Sequence, residues 1–169
     1  MPPPPSNQQV WTDPLLTNPH AVEDKRKRVQ RMFAAIAPSY DLNNRLHSAW
    51  IDQHWRRQAV KFSLLKPTDH VLDVACGTGD LTIKFAAYIG VKHMKAGTRP
   101  ARAQVVGVDF TYQMLPIAKR KTASMDDDVR PQDGRDEDRS TGIATFTTGD
   151  AQQLPFPDAS FDVVSIAFG

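Results

Sequence analysis

His70-Val-Leu-Asp-Val-Ala-Cys-Gly-Thr-Gly-Asp-Leu-Thr82 is the stretch on which the reading of this chain turns. Its first six residues form a short apolar run, two glycines stand at Gly77 and Gly79, and Leu81, Phe85 and Tyr88 then recur at helical spacing. The pattern predicts a strand, a tight loop and a helix. Working outward, Gln104-Val-Val-Gly-Val-Asp109, Thr145-Phe-Thr-Thr-Gly-Asp150 and Phe161-Asp-Val-Val-Ser-Ile-Ala-Phe168 read as three further buried strands. Strands separated by helical stretches predict an α/β fold with a mainly parallel sheet. Upstream, Val29, Met32, Phe33 and Ile36 form an i, i+3, i+4, i+7 stripe that ends before Pro38. A second helix is expected with Ile51, Trp55, Ala59 and Phe62 along its apolar face, closed by Pro67.

The chain has 169 residues and is 40% hydrophobic, enough for one globular domain with a real core. Lys and Arg number 21 against 19 Asp and Glu, so the basic excess of a nucleic-acid binder is missing and no nucleic-acid partner is expected. Cys76 is the single cysteine, which excludes an internal disulfide and a cysteine-rich metal site and favours a reducing, cytoplasmic setting. The sequence contains no apolar run near the roughly 18 residues a membrane span needs, so a soluble or peripheral protein is expected. The start, Met-Pro-Pro-Pro-Pro-Ser-Asn-Gln, has neither a signal peptide's apolar stretch nor a transit peptide's arginines. Residues 1–22 are proline-rich and polar and are expected to form a disordered tail, with the domain over 23–169. Within it, 91–103 and 122–142 lack apolar periodicity and are expected as inserted, solvated surface loops.

In an open parallel α/β sheet, ligands lie beyond the carboxyl ends of the strands. Asp73 ends the first strand and is followed by Gly77 and Gly79, where absent side chains let a ligand approach the backbone. Asp109 follows the second strand and can accept two hydrogen bonds from a ribose diol. Asp150 follows the third, where it can accept from an adenine amino group while the Ala151 backbone meets the ring. Each of these alone is as readily a turn or a cap. Three acid-bearing loops after three successive strands point to a nucleoside ligand. A dinucleotide loses support because Thr82 stands where the third glycine of Gly-x-Gly-x-x-Gly would fall, and because Asp80 at the helix start repels a pyrophosphate. A cationic sulfonium ligand tolerates that carboxylate, although Asp80 is equally readable as an N-cap.

These residues resemble the class I S-adenosylmethionine-dependent methyltransferases, and within them the UbiE-type ubiquinone/menaquinone biosynthesis C-methyltransferases. The distinctive part is Val29-Gln-Arg-Met-Phe-Ala-Ala-Ile-Ala-Pro-Ser-Tyr-Asp41 together with Asn43, Asn44 and Trp55-Arg56. Gly149-Asp-Ala-Gln-Gln-Leu-Pro-Phe-Pro-Asp-Ala-Ser-Phe-Asp-Val-Val164 and Ile166-Ala-Phe-Gly169 resemble the family's later motifs. The resemblance implies a partial Rossmann-like fold: N-terminal helices plus about the first four strands. It implies S-adenosylmethionine as cofactor, with Thr78, Asp109, Asp150 and Ala151 as contacts, Asp73, Gly77 and Gly79 shaping the loop, and no metal. It also implies a polyprenylated quinol acceptor, either a demethylmenaquinol or a ubiquinol precursor; the missing mitochondrial presequence favours menaquinone. Tyr40 and His47, in the segment expected to cover the substrate, are candidates for the group that helps ionise a ring hydroxyl, against plainer readings as a packing residue and a surface residue.

The chain departs from the family in three places. Ala167 stands where some members carry serine, and Pro116 interrupts Met114-Leu-Pro-Ile-Ala118, so the helix there is expected to begin at Pro116. The Leu-Arg-Asn segment and later strands are missing after Gly169, which implies a truncated chain with an apolar edge on its fourth strand, expected to aggregate or to bind the cofactor only weakly. A methyltransferase for another small molecule, or a cofactor-binding remnant that scaffolds a partner, are the competing readings. The apolar face of Val29, Met32, Phe33 and Ile36 offers a place for an isoprenoid tail and Lys25-Arg-Lys-Arg28 a contact for an anionic membrane surface, against the plainer readings of core packing and solvated charge.

Overall fold

A computed structural model describes residues 25–98, 104–129 and 143–167. Three helices precede the sheet: α1 (Lys25–Ile36), α2 (Tyr40–His47) and α3 (Ile51–Phe62). They are followed by β1 (Val71–Val74), α4 (Asp80–Ala96), β2 (Val105–Asp109), α5 (Leu115–Val129), β3 (Ala144–Thr148) and β4 (Val163–Ile166). The four strands form one parallel sheet in the order β3-β2-β1-β4. After β1 the chain adds strands to one side, then returns with β4 to the other side of β1. A topological switch point therefore lies between the carboxyl ends of β1 and β4.

The alternation of side chains along β1 builds the two faces. Val71 joins Val60, Leu65, Leu81, Phe85, Ile89 and Val105 in one core, with Phe85 and Ile89 essentially inaccessible. Burying a side chain such as Phe85 stabilises the fold by roughly 1.5–3 kcal/mol. On the other face Leu72, Val74 and Val108 pack with Leu154, Phe156 and Phe161. β4 is the sheet edge beside β1: Val164 and Ile166, in register with Leu72 and Val74, are 61% and 65% exposed.

The structure changes several sequence expectations. Helix α4 continues to Ala96, so 91–96 belong to a helix rather than to a surface loop. Gly97 (φ 66°) closes it, and its N–H and that of Thr98 satisfy terminal carbonyls. His93 anchors that last turn, one ring nitrogen 2.8 Å from the Pro67 carbonyl oxygen and the other 2.7 Å from Thr98 Oγ1. Likewise α5 runs through Val129, so 122–129 are helical and not looped. The rest of both expected insertions, 99–103 and 130–142, and the tail over 1–22 lie outside the described residues. Helix α5 starts at Leu115, one residue before Pro116, after a 3-10 turn over Tyr112–Met114. Pro116 still falls in the first turn, where a missing N–H leaves no bond unmade.

The largest correction concerns α3. Its expected apolar face is largely outside: Ile51, Trp55 and Phe62 are exposed, while Asp52, Arg56 and Val60 are buried. Apolar periodicity misleads there because the inward polar groups satisfy one another. Asp52 accepts from Ser48 (2.9 Å), Gln53 (3.0 Å) and Arg56, which removes the desolvation penalty that would otherwise keep an ion pair at the surface.

Candidate functional site

Gly79 is the N-cap of α4 in the left-handed region (φ 80°), and Asp80 is the first residue of the helix, not its cap as one reading of the sequence had it. Ala75 and Gly77 also have positive φ (both 54°), so the loop after β1 turns sharply over the sheet edge. A Cβ on Gly77 would meet only Tyr40, at 3.9 Å, so the space above this backbone is open to a ligand.

Asp109, at the end of β2, ties three loops together. It is buried; Oδ2 accepts from the Gly77 N–H (2.7 Å) and Oδ1 from the Thr111 N–H (2.6 Å). Its carbonyl accepts from the Gly149 N–H at 3.1 Å, and the Cys76 N–H donates to the Val108 carbonyl at 3.0 Å. The loops after β1, β2 and β3 thus form one hydrogen-bonded rim centred on Asp109, its carboxylate bonded to the first two and its main-chain carbonyl to the third, and the carboxylate keeps spare lone pairs for a diol. Asp150 follows at that rim, half-buried, its Oδ1 accepting from the Gln152 N–H at 3.0 Å, while Ala151 is exposed.

Asp73 does not join them at the rim. It is 2% exposed beneath the loop, with its two oxygens accepting from Thr82 Oγ1 (2.6 Å) and Ser165 Oγ (2.7 Å). Its role is to join β1, β4 and α4. Burial raises its pKa above the ordinary 3.8, only partly opposed by the hydrogen bonds from Thr82 and Ser165. A carboxyl whose folded pKa is raised penalises the folded state above that pKa and loses the penalty as pH falls toward 3.8. Asp73→Asn is therefore expected to gain stability relative to the parent near neutral pH, with the gap closing as pH is lowered toward 4. Melting temperatures of both proteins across that window check this; parallel curves would refute it.

A cleft opens at the switch point, between Ala75 after β1 and Ala167 after β4, and Tyr40, Arg56, Thr78 and Asp80 line it as well. Asp73 lines it too, whereas Asp109, Asp150 and Ala151 are not among its lining residues. The cleft and the acidic rim instead adjoin through Gly77, which lines the first and is bonded to Asp109 of the second. Of the two candidate groups for substrate ionisation, Tyr40 lies in the cleft wall, packed edge-on to Phe33 at 6.3 Å between centroids. His47 is exposed on the last turn of α2, Nδ1 2.7 Å from the Asn43 carbonyl oxygen, and is absent from the lining.

An ionic network over the glycine loop was not foreseen. Thr78 Oγ1 donates to Asp41 Oδ1 (2.5 Å), Lys121 Nζ donates to Asp41 Oδ2 (2.7 Å) and Thr78 Oγ1 (3.1 Å), and Lys121 also pairs with Asp80. Arg56 pairs with Asp52 and lies 3.7 Å from Asp80. For Asp52, burial pushes the carboxyl up, but the bonds from Ser48, Arg56 and Gln53 together hold it below 3.8. Asp41 and Arg56 fall in the distinctive Tyr40-Asp41 and Trp55-Arg56 motifs, which was a usable signal. Lys121 sits in a basic run, Lys119-Arg-Lys121, that reads as a solvated surface. Among the described residues no group of three or more His, Cys, Asp and Glu is placed to hold a metal ion.

Residues 21–169 match the model of the ubiE/COQ5 methyltransferase family. Among curated relatives, a demethylmenaquinone methyltransferase of Deinococcus radiodurans is 40% identical over 147 residues, which is 87% of this chain and 50% of the relative. A demethylmenaquinone methyltransferase of Thermus thermophilus is 42% identical over 138 residues, 82% of this chain and 51% of the relative. A ubiquinone/menaquinone biosynthesis C-methyltransferase UbiE of a Geobacter species is 37% identical over 150 residues, 89% and 54% of the two chains. The chain spans about half the length of these relatives.

Proposed function

This chain belongs to the ubiE/COQ5 methyltransferase family, and from that premise we propose that it binds S-adenosylmethionine across the rim and cleft and serves C-methylation of a quinol ring. The observation that carries the reading is the position of Asp109. One buried residue gathers the loops at the carboxyl end of the sheet, its carboxylate holding those after β1 and β2 and its main-chain carbonyl the one after β3, where a ribose diol can reach the carboxylate from above the open Gly77 backbone. Asp150 and Ala151 supply the adenine end, and Thr78, Gly77, Gly79 and Asp80 the methionine end. The cofactor supplies an electrophilic methyl group on a sulfonium.

Held there, it would offer that methyl to an electron-rich ring carbon of the quinol, whose displaced proton would pass to solvent. Side chains act mainly by holding the two reactants in line. Tyr40 would orient a ring hydroxyl, a reading supported by its position in the cleft wall beside Gly77. The exposed Leu42, Leu46, Trp50 and Trp55, on and around α2 and α3, offer apolar surface to a polyprenyl tail. The acceptor is a demethylmenaquinol, the substrate class named for the Deinococcus and Thermus relatives, with a ubiquinol precursor as the alternative. Among the described residues no helix is long and apolar enough to cross a membrane, and a peripheral contact through Lys25-Arg-Lys-Arg28 accords with that tail.

Calorimetric titration with S-adenosylmethionine, followed by transfer of labelled methyl to each acceptor, tests the reading. Saturable binding and label in demethylmenaquinol are expected. Absence of cofactor binding would refute the first part, and transfer only to a different class of small molecule the second.

A further inference from the structure

Helix α2 stands beside the glycine loop with little apolar packing to keep it there. None of its eight residues is buried, and Leu42 and Leu46 are exposed. An element with so few buried apolar groups opens easily unless polar contacts fasten it. Its exit is strained as well. Ala49 and Trp50, the last two residues before α3, both lie in the left-handed region (φ 46° and 67°), which a residue with a Cβ disfavours.

Against that looseness stands one carboxylate in the first turn. Asp41 Oδ1 accepts from Thr78 Oγ1 at 2.5 Å and Oδ2 from Lys121 Nζ at 2.7 Å, so α2 is tied at once to the glycine loop and to α5. Lys121 also donates to Thr78 Oγ1 at 3.1 Å, and the Lys121 and Asp41 side chains are only 24% and 23% exposed, so solvent screens the pair only in part. The neighbour of Asp41 is Tyr40, which lines the cleft and is the nearest side chain to where a Gly77 Cβ would stand, at 3.9 Å. Fixing Asp41 therefore fixes Tyr40 beside the glycine backbone. The Thr78 hydroxyl has a single proton, and here it goes to Asp41; a ligand that takes that hydrogen bond leaves Asp41 to Lys121.

We propose, on the methyl-donor reading, that Lys121 is a positioning residue: it latches α2 as a lid, holds Tyr40 beside Gly77, and admits the donor when its bond to Asp41 is released. Lys121 acts through α2, not by touching either reactant. Its other carboxylate partner, Asp80, is also met by Gln53 (3.4 Å) and Arg56 (3.7 Å), so removing the ammonium falls chiefly on Asp41.

Residue-by-residue hydrogen exchange of the full chain without ligand tests the latch. In Lys121→Met the α2 amides should exchange about ten- to hundredfold faster than in the parent, the effect of losing one charged hydrogen bond, while those of β1 and β2 keep their protection. Asp41→Ala should also loosen α2 selectively, and adding Lys121→Met to it should cause little further acceleration, because both changes remove the same bond. A purely structural role would speed α2 and the core strands together. That result, α2 amides unprotected in the parent or unchanged in Lys121→Met, or fully additive effects in the double variant, overturns the latch. With S-adenosylmethionine as probe, stopped-flow binding to Lys121→Met should show association and dissociation both faster; unchanged association overturns the part in donor entry. A parent that binds no S-adenosylmethionine overturns the methyl-donor reading and the donor as what the lid admits, while hydrogen exchange still decides whether Lys121 latches α2.

Discussion

Asp109→Ala is expected to weaken S-adenosylmethionine binding by about 100-fold or more and to destabilise the fold by about 2–4 kcal/mol. The two effects share one cause. The carboxylate holds the Gly77 and Thr111 N–H groups at 2.7 and 2.6 Å, and alanine leaves both donors without that partner, the Thr111 N–H in a buried setting. The ligand loses a charged acceptor for its diol, and it also meets a glycine loop no longer fixed to β2. Asp109→Asn separates the contributions, because its amide oxygen can still accept from one N–H while its NH2 faces the other. It should retain more stability than the alanine variant and still bind the cofactor poorly. Calorimetry and urea unfolding of both variants check this; near-parental affinity in Asp109→Ala would remove the ribose assignment.

Gly79→Ala should destabilise the chain by about 2–4 kcal/mol, the sum of left-handed strain at a non-glycine residue and overpacking. At φ 80° an added Cβ would stand 2.8 Å from Ala118 Cβ on α5 and 2.8 Å from the Phe146 ring on β3. Neither neighbour moves easily, since Ala118 is fully buried and Phe146 packs with Ile83 and Leu115 in the same core. With total stabilities of about 5–15 kcal/mol typical of domains, such a loss should appear as a marked fall in the urea midpoint. An unchanged midpoint would show that α4 can shift its first turn away from α5. Gly77→Ala, whose Cβ would have only Tyr40 at 3.9 Å for company, should lose less stability despite its own positive φ.

The contrast between those glycines shows where sequence reading stops. Gly-x-Gly after an apolar run announced a tight turn above a strand, and the turn is there. That one glycine is closed over by α5 and β3 while the other is open to a ligand depends on what the rest of the chain brings to each. Asp73, Asp109 and Asp150 likewise read as equivalents, an acid after or at the end of each of three strands. In the fold, Asp109 becomes the junction of three loops, Asp150 stays at the rim, and Asp73 is buried at the cleft wall, held by Thr82 and by Ser165, which is 92 residues away along the chain.

Helix α3 marks a second limit. Periodicity placed Ile51, Trp55 and Phe62 inward because apolar residues normally seek the core. Asp52 and Arg56 are buried instead, because each finds partners, Arg56 reaching Asp80 across the gap to α4. Single-chain patterning contains no information about partners that only folding supplies. The charged stretches around 91–96 and 122–129 proved helical for a related reason: weak apolar periodicity describes an exposed surface, and an exposed surface does not distinguish a helix from a loop.

The α/β class, the four strands in order, the glycine turn and the family motifs around Tyr40-Asp41 and Trp55-Arg56 were legible along the linear chain, because these depend on local periodicity and residue type. Long-range packing alone made Asp109 the junction of three loops and Asp73 a buried joint, and brought Lys121 between Asp41 and Asp80 above the loop. Those outcomes depend on distances between residues far apart along the chain, and such distances are set when β4 returns to the opposite side of β1 and α5 packs back across the start of α4.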